Sequence, residues 1–315
     1  MLKPQFIKLI KTAAESLGIT LSLFSDDWAI ELTKNDLTKY LVGNTLPLND
    51  SVTYRIVRNK NLCSDILDKH SIANVPHKLL FSPSVLMRRN QSKGNMGELQ
   101  DFIMRNNFPL IVKLNNTSGG EGVYLVSNEP ELENVLSYIY NKESTLCLSP
   151  FRSILNEYRC VVLNGKCLLL YEKLRPFVTG DGKKTLFDLI YEFYKSNYEK
   201  KEKLEDLFDA NLLVKLNCIP KENERTYLHW KHNSSFSTSC LELHNEDIMK
   251  IALKAAKVIN AKFVSVDIIY SRENGYEIME INASVLLNLF SSMSMENFEK
   301  AVQIYSLALR EVFPE

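Results

Sequence analysis

The sequence predicts a chain of mixed helices and antiparallel strands, α+β in class, and three observations carry that expectation. Residues 263–270 and 276–281 are runs rich in Val, Ile, Tyr and Phe, joined by Arg272-Glu273-Asn274-Gly275, and together they read as a β-hairpin. Residues 109–113 and 123–126 read as a second strand pair, closed by a small polar loop with three glycines. The remaining long segments show apolar residues at helical spacing.

The elements follow in order. Residues 6–17 form an amphipathic helix stopped by Gly18, and 19–24, 28–32 and 38–42 alternate like strands, so a small N-terminal α/β domain is expected over 1–50. Asn49 or Asp50 can cap a helix over 51–59, and a second helix runs to about His70. Further helices are expected at 98–105, 130–140, 185–198, 245–259 and 295–312. The run Glu199-Lys200-Lys201-Glu202-Lys203-Leu204-Glu205-Asp206 alternates in sign and reads as a solvated helix face.

Composition bounds the function. Hydrophobic residues make up 45% and charged residues 24%, which is ordinary for a globular protein. Lys and Arg (38) balance Asp and Glu (38), so no basic field argues for nucleic acid or a membrane surface. Six cysteines without a Cys-x-x-Cys pair read as free thiols, and with no signal peptide they point to the cytoplasm.

The chemistry sits on the two hairpins. Asp267 lies before the turn of the first hairpin, with Glu280 and Asn282 after it, so the three can converge. Three oxygen donors on rigid strands suit Mg²⁺, which keeps several waters and shares the rest of its shell with phosphates; the bland alternative is a hairpin with acids on its wet face. In the second hairpin, Lys113 ends the first strand and Ser118, Gly119, Gly120 and Gly122 shape the loop. Such a tip can lie over a polyphosphate with its N–H groups inward, and the lysine supplies a point charge; the alternative is a plain turn. No Gly-Lys-Ser/Thr leads into a helix, so this is not a Walker loop.

Together these pieces resemble the ATP-grasp superfamily of carboxylate–amine ligases, from about residue 45 to the C-terminus. Asn59-Lys60-Asn61-Leu62, with Ser71-Ile72-Ala73-Asn74-Val75-Pro76, is similar to the segment offering the first ATP lysine, here Lys60. Val112-Lys113 and the glycine loop resemble the second lysine and the phosphate-covering loop. Residues 146–151 stand where the hinge meets adenine, which implies Leu148, Ser149 and Phe151 there. Asn156-Glu157-Tyr158-Arg159-Cys160-Val161-Val162 resembles the Glu-Tyr-Arg-Val strand, whose acid, Glu157, reaches the ribose. Leu46-Pro47-Leu48-Asn49-Asp50-Ser51, Glu172-Lys173-Leu174-Arg175-Pro176 and Gly180-Asp181-Gly182-Lys183-Lys184-Thr185-Leu186 narrow the resemblance to cyanophycin synthetase and the RimK-like ligases.

The resemblance implies an ATP-grasp fold, two α+β subdomains clamping ATP (51–145 and 146–315), with the metal triad on Asp267, Glu280 and Asn282. It implies ATP and Mg²⁺ as cofactors, with Mn²⁺ an admissible substitute. The implied reaction joins a small-molecule or peptide carboxylate to an amine through an acyl phosphate, releasing ADP and phosphate. Nucleic acid and membranes are not expected partners, and a homodimer is left open.

Departures from the pattern fall on the acceptor side. Leu114 replaces a proline, and Asn282-Ala283-Ser284-Val285-Leu286 lacks the family's Pro-Gly. The arginine expected before Asn233 is absent, and a glycine pair is Ser237-Thr238. Lys231 stands at the RimK-like offset and is the expected replacement cation, with His229, Arg175 and Arg159 next in line. An ATP-binding module without ligation, or phosphoryl transfer to another acceptor, are the rival readings. His229 and His232 show no third partner for zinc.

Overall fold

The computed structural model describes residues 2–90, 93–114, 122–195, 209–229 and 239–314. The chain divides into two compact units, Met1–Tyr171 with Glu242–Glu315, and Glu172–Leu241. In order, the larger unit begins with α1 (Pro4–Glu15), β1 (Thr20–Phe24), β2 (Ala29–Lys34) and β3 (Leu37–Val42). It continues through α2 (Ser51–Arg58), α3 (Lys60–Lys69), β4 (Lys78–Phe81), α4 (Pro83–Arg89) and α5 (Met96–Asn106). Then follow β5 (Leu110–Leu114), β6 (Val123–Val126), α6 (Glu129–Tyr140), β7 (Thr145–Pro150), β8 (Asn156–Leu163) and β9 (Lys166–Lys173). The smaller unit holds β10 (Phe177–Thr179), α7 (Leu186–Lys195), a 3₁₀ turn at Ala210–Lys215 and β11 (Arg225–Tyr227). The chain returns through β12 (Cys240–Glu242) to α8 (Glu246–Val258), β13 (Phe263–Ser271), β14 (Gly275–Asn282), α9 (Asn288–Ser291) and α10 (Met295–Val312).

Local chemistry sets the helix starts. The Asp50 side chain accepts from Thr53 N at 2.7 Å and opens α2. Asn59 ends α2 and caps α3 by accepting from Leu62 N at 3.1 Å, which makes Lys60 the first residue of α3. Asn245 caps α8 and Ser294 caps α10 in the same way. At the N-terminus α1 lies on α10, with the Phe6 ring edge-on to Tyr305 at 5.6 Å.

Three sheets organise the larger unit: β1-β2-β3, β4-β7-β5-β6, and β12-β9-β8-β13-β14. Between β8 and β9 the turn is Asn164-Gly165, both at positive φ (46° and 73°), the twist a two-residue hairpin requires. One face of the five-stranded sheet packs Cys160, Val162, Val264, Val266, Ile268 and Ile281 against Ile248, Ala252 and Ala255 of α8. The four-stranded sheet buries Val112, Leu146 and Leu148 against Leu99 and Phe102 of α5 and Leu132 and Leu136 of α6. The central strand β13 is buried on both faces, so the polar side chains on its second face are shielded from solvent.

Most of the expected elements are present with shifts of a few residues, and Met295–Val312 has the expected bounds. The strands β4, β10, β11 and β12 were not anticipated, because three or four residues are too few to show a period. The sign-alternating run 199–206 lies outside the described residues, and helix 185–198 is described through Lys195. Among the described residues, no helix is long and apolar enough to cross a membrane.

Candidate active site

The second face of β8, β13 and β14 is built by register. Arg159 lies opposite Asp267, which lies opposite Glu280; Val161, Ser265 and Asn282 form the next row, and Glu157, Ile269 and Glu277 the row on the other side. A bulge makes this possible. Ile268 pairs with Ile278 while Asp267 pairs with Glu280, so Met279 is the extra residue on β14. Without that slip, Glu277 and Glu280, three apart, would point to opposite faces. With it both acids join the face that carries Asp267.

Asp267, Glu277 and Glu280 on this face are each met by a cation. Arg159 forks onto Asp267 with Nε and Nη2 at 2.6 and 2.7 Å. Arg152 forks onto Glu277 at 2.7 and 2.9 Å. Lys60 Nζ stands 3.3 Å from Glu280 Oε1. Asp267 is 3% and Glu277 6% exposed, so these are largely desolvated bonds rather than surface pairs. Burial works to lower the Arg159 guanidinium, but Asp267, with Tyr171 and Glu157 adding to it, holds Arg159 well above its ordinary range.

Lys113 reaches the site from the other sheet and meets a residue the sequence reading passed over. Its Nζ is 3.2 Å from His77 Nε2. Burial first, then the charges of Lys113 and Lys60, hold His77 well below its ordinary value. A neutral imidazole can therefore accept a hydrogen bond from the Lys113 ammonium at Nε2. Burial also lowers Lys113, with Glu280 pulling the other way.

His77 is itself fixed by α3. Ser64 Oγ donates to Asn74 Oδ1 (2.8 Å) and accepts from His77 N (3.2 Å), and Asn74 Nδ2 donates to Asp68 Oδ1 (2.6 Å). Lys60, Ser64 and Asp68 are spaced by four, one stripe of α3, so one helix face sets Lys60, the 72–77 segment and, through His77, Lys113. A lone histidine after Pro76 gives no periodic signal, which is why only the structure reveals it.

Two cysteines border these lysines without being nucleophiles. Burial pushes the Cys63 thiol up to about 12 and the Cys147 thiol to about 11, the latter despite Lys113 nearby. Both are neutral packing groups at physiological pH.

The donor set expected for a cation is Asp267, Glu280 and Asn282, two carboxylates and an amide. All are hard oxygen donors, the type Mg²⁺ takes, and no cluster of three His, Cys, Asp or Glu exists among the described residues. Ser265 lies opposite Asn282 and two residues from Asp267, and its Oγ is buried with no hydrogen-bond partner. A buried hydroxyl left unpaired is costly, and an ion with bound water on this face would give it one. The residues fit Mg²⁺.

Other expected site residues are placed as follows. Ser149 is buried in β7, Phe151 follows it with its N donating to Pro109 O at 3.2 Å, and Leu148 points into the core of the four-stranded sheet. The Leu148 side chain is therefore a packing group, and only its backbone is left for any ligand. Glu157 is 4% exposed, on the site face. Gly122 has φ +66° and a Cβ there would strike Leu114, so glycine is required where the loop rejoins β6. Ser118, Gly119 and Gly120 lie outside the described residues, as does Lys231. In the smaller unit, His229 Nε2 is 3.7 Å from Asp209 Oδ1 and Arg175 lies over the Tyr227 ring at 4.1 Å.

Comparison with known proteins gives this geometry a context. Residues 225–305 match the family model of the RimK-like ATP-grasp domain. The glutathione biosynthesis bifunctional protein GshAB of Listeria monocytogenes is 25% identical over 282 residues, a match covering 82% of this chain and 35% of that protein. The chain thus spans about a third of the length of the curated relatives it matches. A bifunctional glutathione synthetase from Pasteurella multocida shares the fold with a TM-score of 0.57 at 16% identity, over 95% of this chain and 43% of that one. A RiPP-associated ATP-grasp ligase from Chryseobacterium gregarium, in complex with ADP and a leader and core peptide, gives 0.52 at 13% identity, over 99% and 95%. The chain has the ATP-grasp fold, and its residues 225–305 are similar to the RimK-like ATP-grasp domain.

Proposed function

We propose that the chain is an ATP-dependent, ADP-forming ligase that joins a carboxylate to an amine. The observation that carries this is the set of Lys60 of α3 beside Glu280, Lys113 of β5 beside His77, and three oxygen donors on one face of β13 and β14, all within one unit and with no nucleophile among them. The cations Lys60, Lys113, Arg152 and Arg159 balance Glu157, Asp267, Glu277 and Glu280 in number, so an arriving polyphosphate needs a cation of its own. That favours a metal nucleotide over a free anion. Asp267, Glu280 and Asn282 would hold Mg²⁺, which when bound supplies charge neutralisation at the phosphates.

Lys60 and Lys113 orient the phosphates, and Ser118, Gly119, Gly120 and Gly122 cover them and exclude water. Leu148 (through its backbone), Ser149 and Phe151 border the adenine, and Glu157 holds the ribose. A carboxylate oxygen of the substrate attacks the γ-phosphorus, the bond to the bridging oxygen breaks, and ADP leaves. The amine then attacks the acyl carbon, phosphate departs, and the amine loses a proton. Lys231 is the proposed cation at the acyl phosphate, because it stands two residues before Asn233, the RimK-like offset, with His229, Arg175 and Arg159 next in line. The Chryseobacterium neighbour is complexed with a peptide, which makes peptide carboxylates as admissible as small ones. The division of the chain at residues 50 and 145 belongs to the same proposal.

The test is ADP release against a panel of amino acids and short acidic peptides, with products read by mass spectrometry. Acceptor-dependent ADP with an amide product is expected, and it should fall further in Lys231→Ala than ATP affinity does. A phosphorylated product would replace ligation by phosphoryl transfer. Binding without turnover would make the chain an ATP-binding module, the reading that the missing arginine before Asn233 favours.

His77 gives a second test of the nucleotide site. His77→Leu removes the acceptor that aims Lys113 and should weaken ATP binding by about 2- to 10-fold, the worth of one hydrogen bond of ~0.5–1.5 kcal/mol. His77→Gln retains an acceptor and should recover most of that in titration calorimetry. Equal losses in both variants would mean that His77 only fills space.

A further inference from the structure

The smaller unit carries an arrangement of which the ligase reading uses at most Arg175. β10 and β11 pair antiparallel, Phe177 opposite Tyr227 and Thr179 opposite Arg225. One face of the pair, Val178 and Leu228, enters the core of that unit with Leu186, Ile190 and Leu212. The other face holds a continuous stack. The Arg175 guanidinium lies 4.1 Å over the Tyr227 ring, Tyr227 meets Phe177 at 6.1 Å and 67°, and the Arg225 guanidinium lies 4.8 Å over Phe177.

Each guanidinium carbon sits over a ring, a cation–π placement in which the guanidinium can still offer N–H groups to a planar acceptor. Among the described residues neither arginine has a carboxylate partner, whereas Arg152 and Arg159 are each forked onto an acid. Arg225 is exposed, and Tyr227 keeps 44% of its surface in solvent, so the stack is not a buried structural element. Holding two long cations in fixed geometry on an open surface costs side-chain entropy, which a ligand would offset.

We propose that this guanidinium–ring–ring–guanidinium stack binds an extended acidic peptide, with two carboxylate side chains on the arginine forks and the intervening chain across the rings. An extended peptide advances ~3.4 Å per residue and presents alternate side chains on one face. Acids at i and i+2 are then about 7 Å apart and at i and i+4 about 13 Å, the range set by two rings placed between the forks. Nucleic acid fits less well. The chain has no net charge, two arginines engage only two phosphates, and rings inclined at 67° give no parallel platform for bases.

The site does not depend on ATP chemistry, so the test uses the full chain without nucleotide. Fluorescence anisotropy would be measured with labelled Glu-Ala-Glu-Ala-Glu, its lysine counterpart and a short single-stranded oligonucleotide. The acidic peptide should bind, weaken as salt is raised, and lose at least about ten-fold in affinity with Arg225→Ala, about 1.4 kcal/mol. Arg225→Lys should recover only part, because it restores charge but not the fork. Tyr227→Ala, which leaves both arginines but removes the ring between them, should also weaken binding. Cooperative thermal melting of each variant establishes that it is folded. Equal binding of acidic and basic peptides, indifference to Arg225→Ala, no binding at all, or tighter binding of the oligonucleotide would each overturn the proposal. None of these outcomes bears on whether the chain is a ligase.

Discussion

Glu280→Gln is expected to abolish ADP formation while leaving the chain folded. The substitution preserves shape and removes one charge from the position where the most interactions meet. Glu280 lies opposite Asp267 in the sheet, 3.3 Å from Lys60 and on the same face as Asn282. Losing its charge deprives a metal nucleotide of one of two carboxylates and leaves Lys60 to repel Lys113 with less compensation. Removing one preorganised electrostatic group from such a site costs on the order of 10²–10³ in rate. The hairpin should survive, since its strands are held by Ile268, Ile278 and Ile281 on the opposite face. Glu273→Gln, in the exposed turn of the same hairpin, is the control and should turn over normally. Undiminished ADP production by Glu280→Gln would remove the metal triad from the proposal.

The parts of this site that the sequence discloses are those written in short-range pattern. Phe263–Ser271 and Gly275–Asn282 carry β-branched and aromatic residues around a turn, so their pairing as a hairpin follows from local preference. Lys60 at the head of α3 follows from an asparagine cap in the preceding position. The core side of each sheet is equally legible, because alternation survives there.

What the sequence withholds depends on residues that meet only through tertiary packing. The bulge at Met279 leaves no mark in composition, yet it decides that Glu280 and Asn282 join the face of Asp267 and Glu277. Arg152 lies 125 positions from Glu277 and His77 lies 36 from Lys113, and neither separation has a period. Leu148 stands at the expected hinge, but the strand phase turns its side chain into the core. The sequence could name which groups bring charge to this region. Only the fold says which charges are paired before any ligand arrives.

That pairing leads to the second large effect. Arg159→Met should destabilise the chain by about 3–5 kcal/mol, the cost of leaving one partner of a buried pair uncompensated. Asp267 is 3% exposed and both of its oxygens accept from Arg159, so water cannot readily take the place of the guanidinium. For a chain of this size the melting temperature should fall by on the order of 10 °C. Two further measurements separate this cause from a packing defect. The double variant Arg159→Met with Asp267→Asn removes both charges and should regain much of the lost stability; additive losses would show that the pair is not the reason. Added Mg²⁺ should raise the melting temperature of Arg159→Met more than that of the unmodified chain, because a cation at Asp267 then replaces the missing one. An equal rise in both would mean that Arg159 and the metal do not share Asp267, and would place the ion on Glu280 and Asn282 alone.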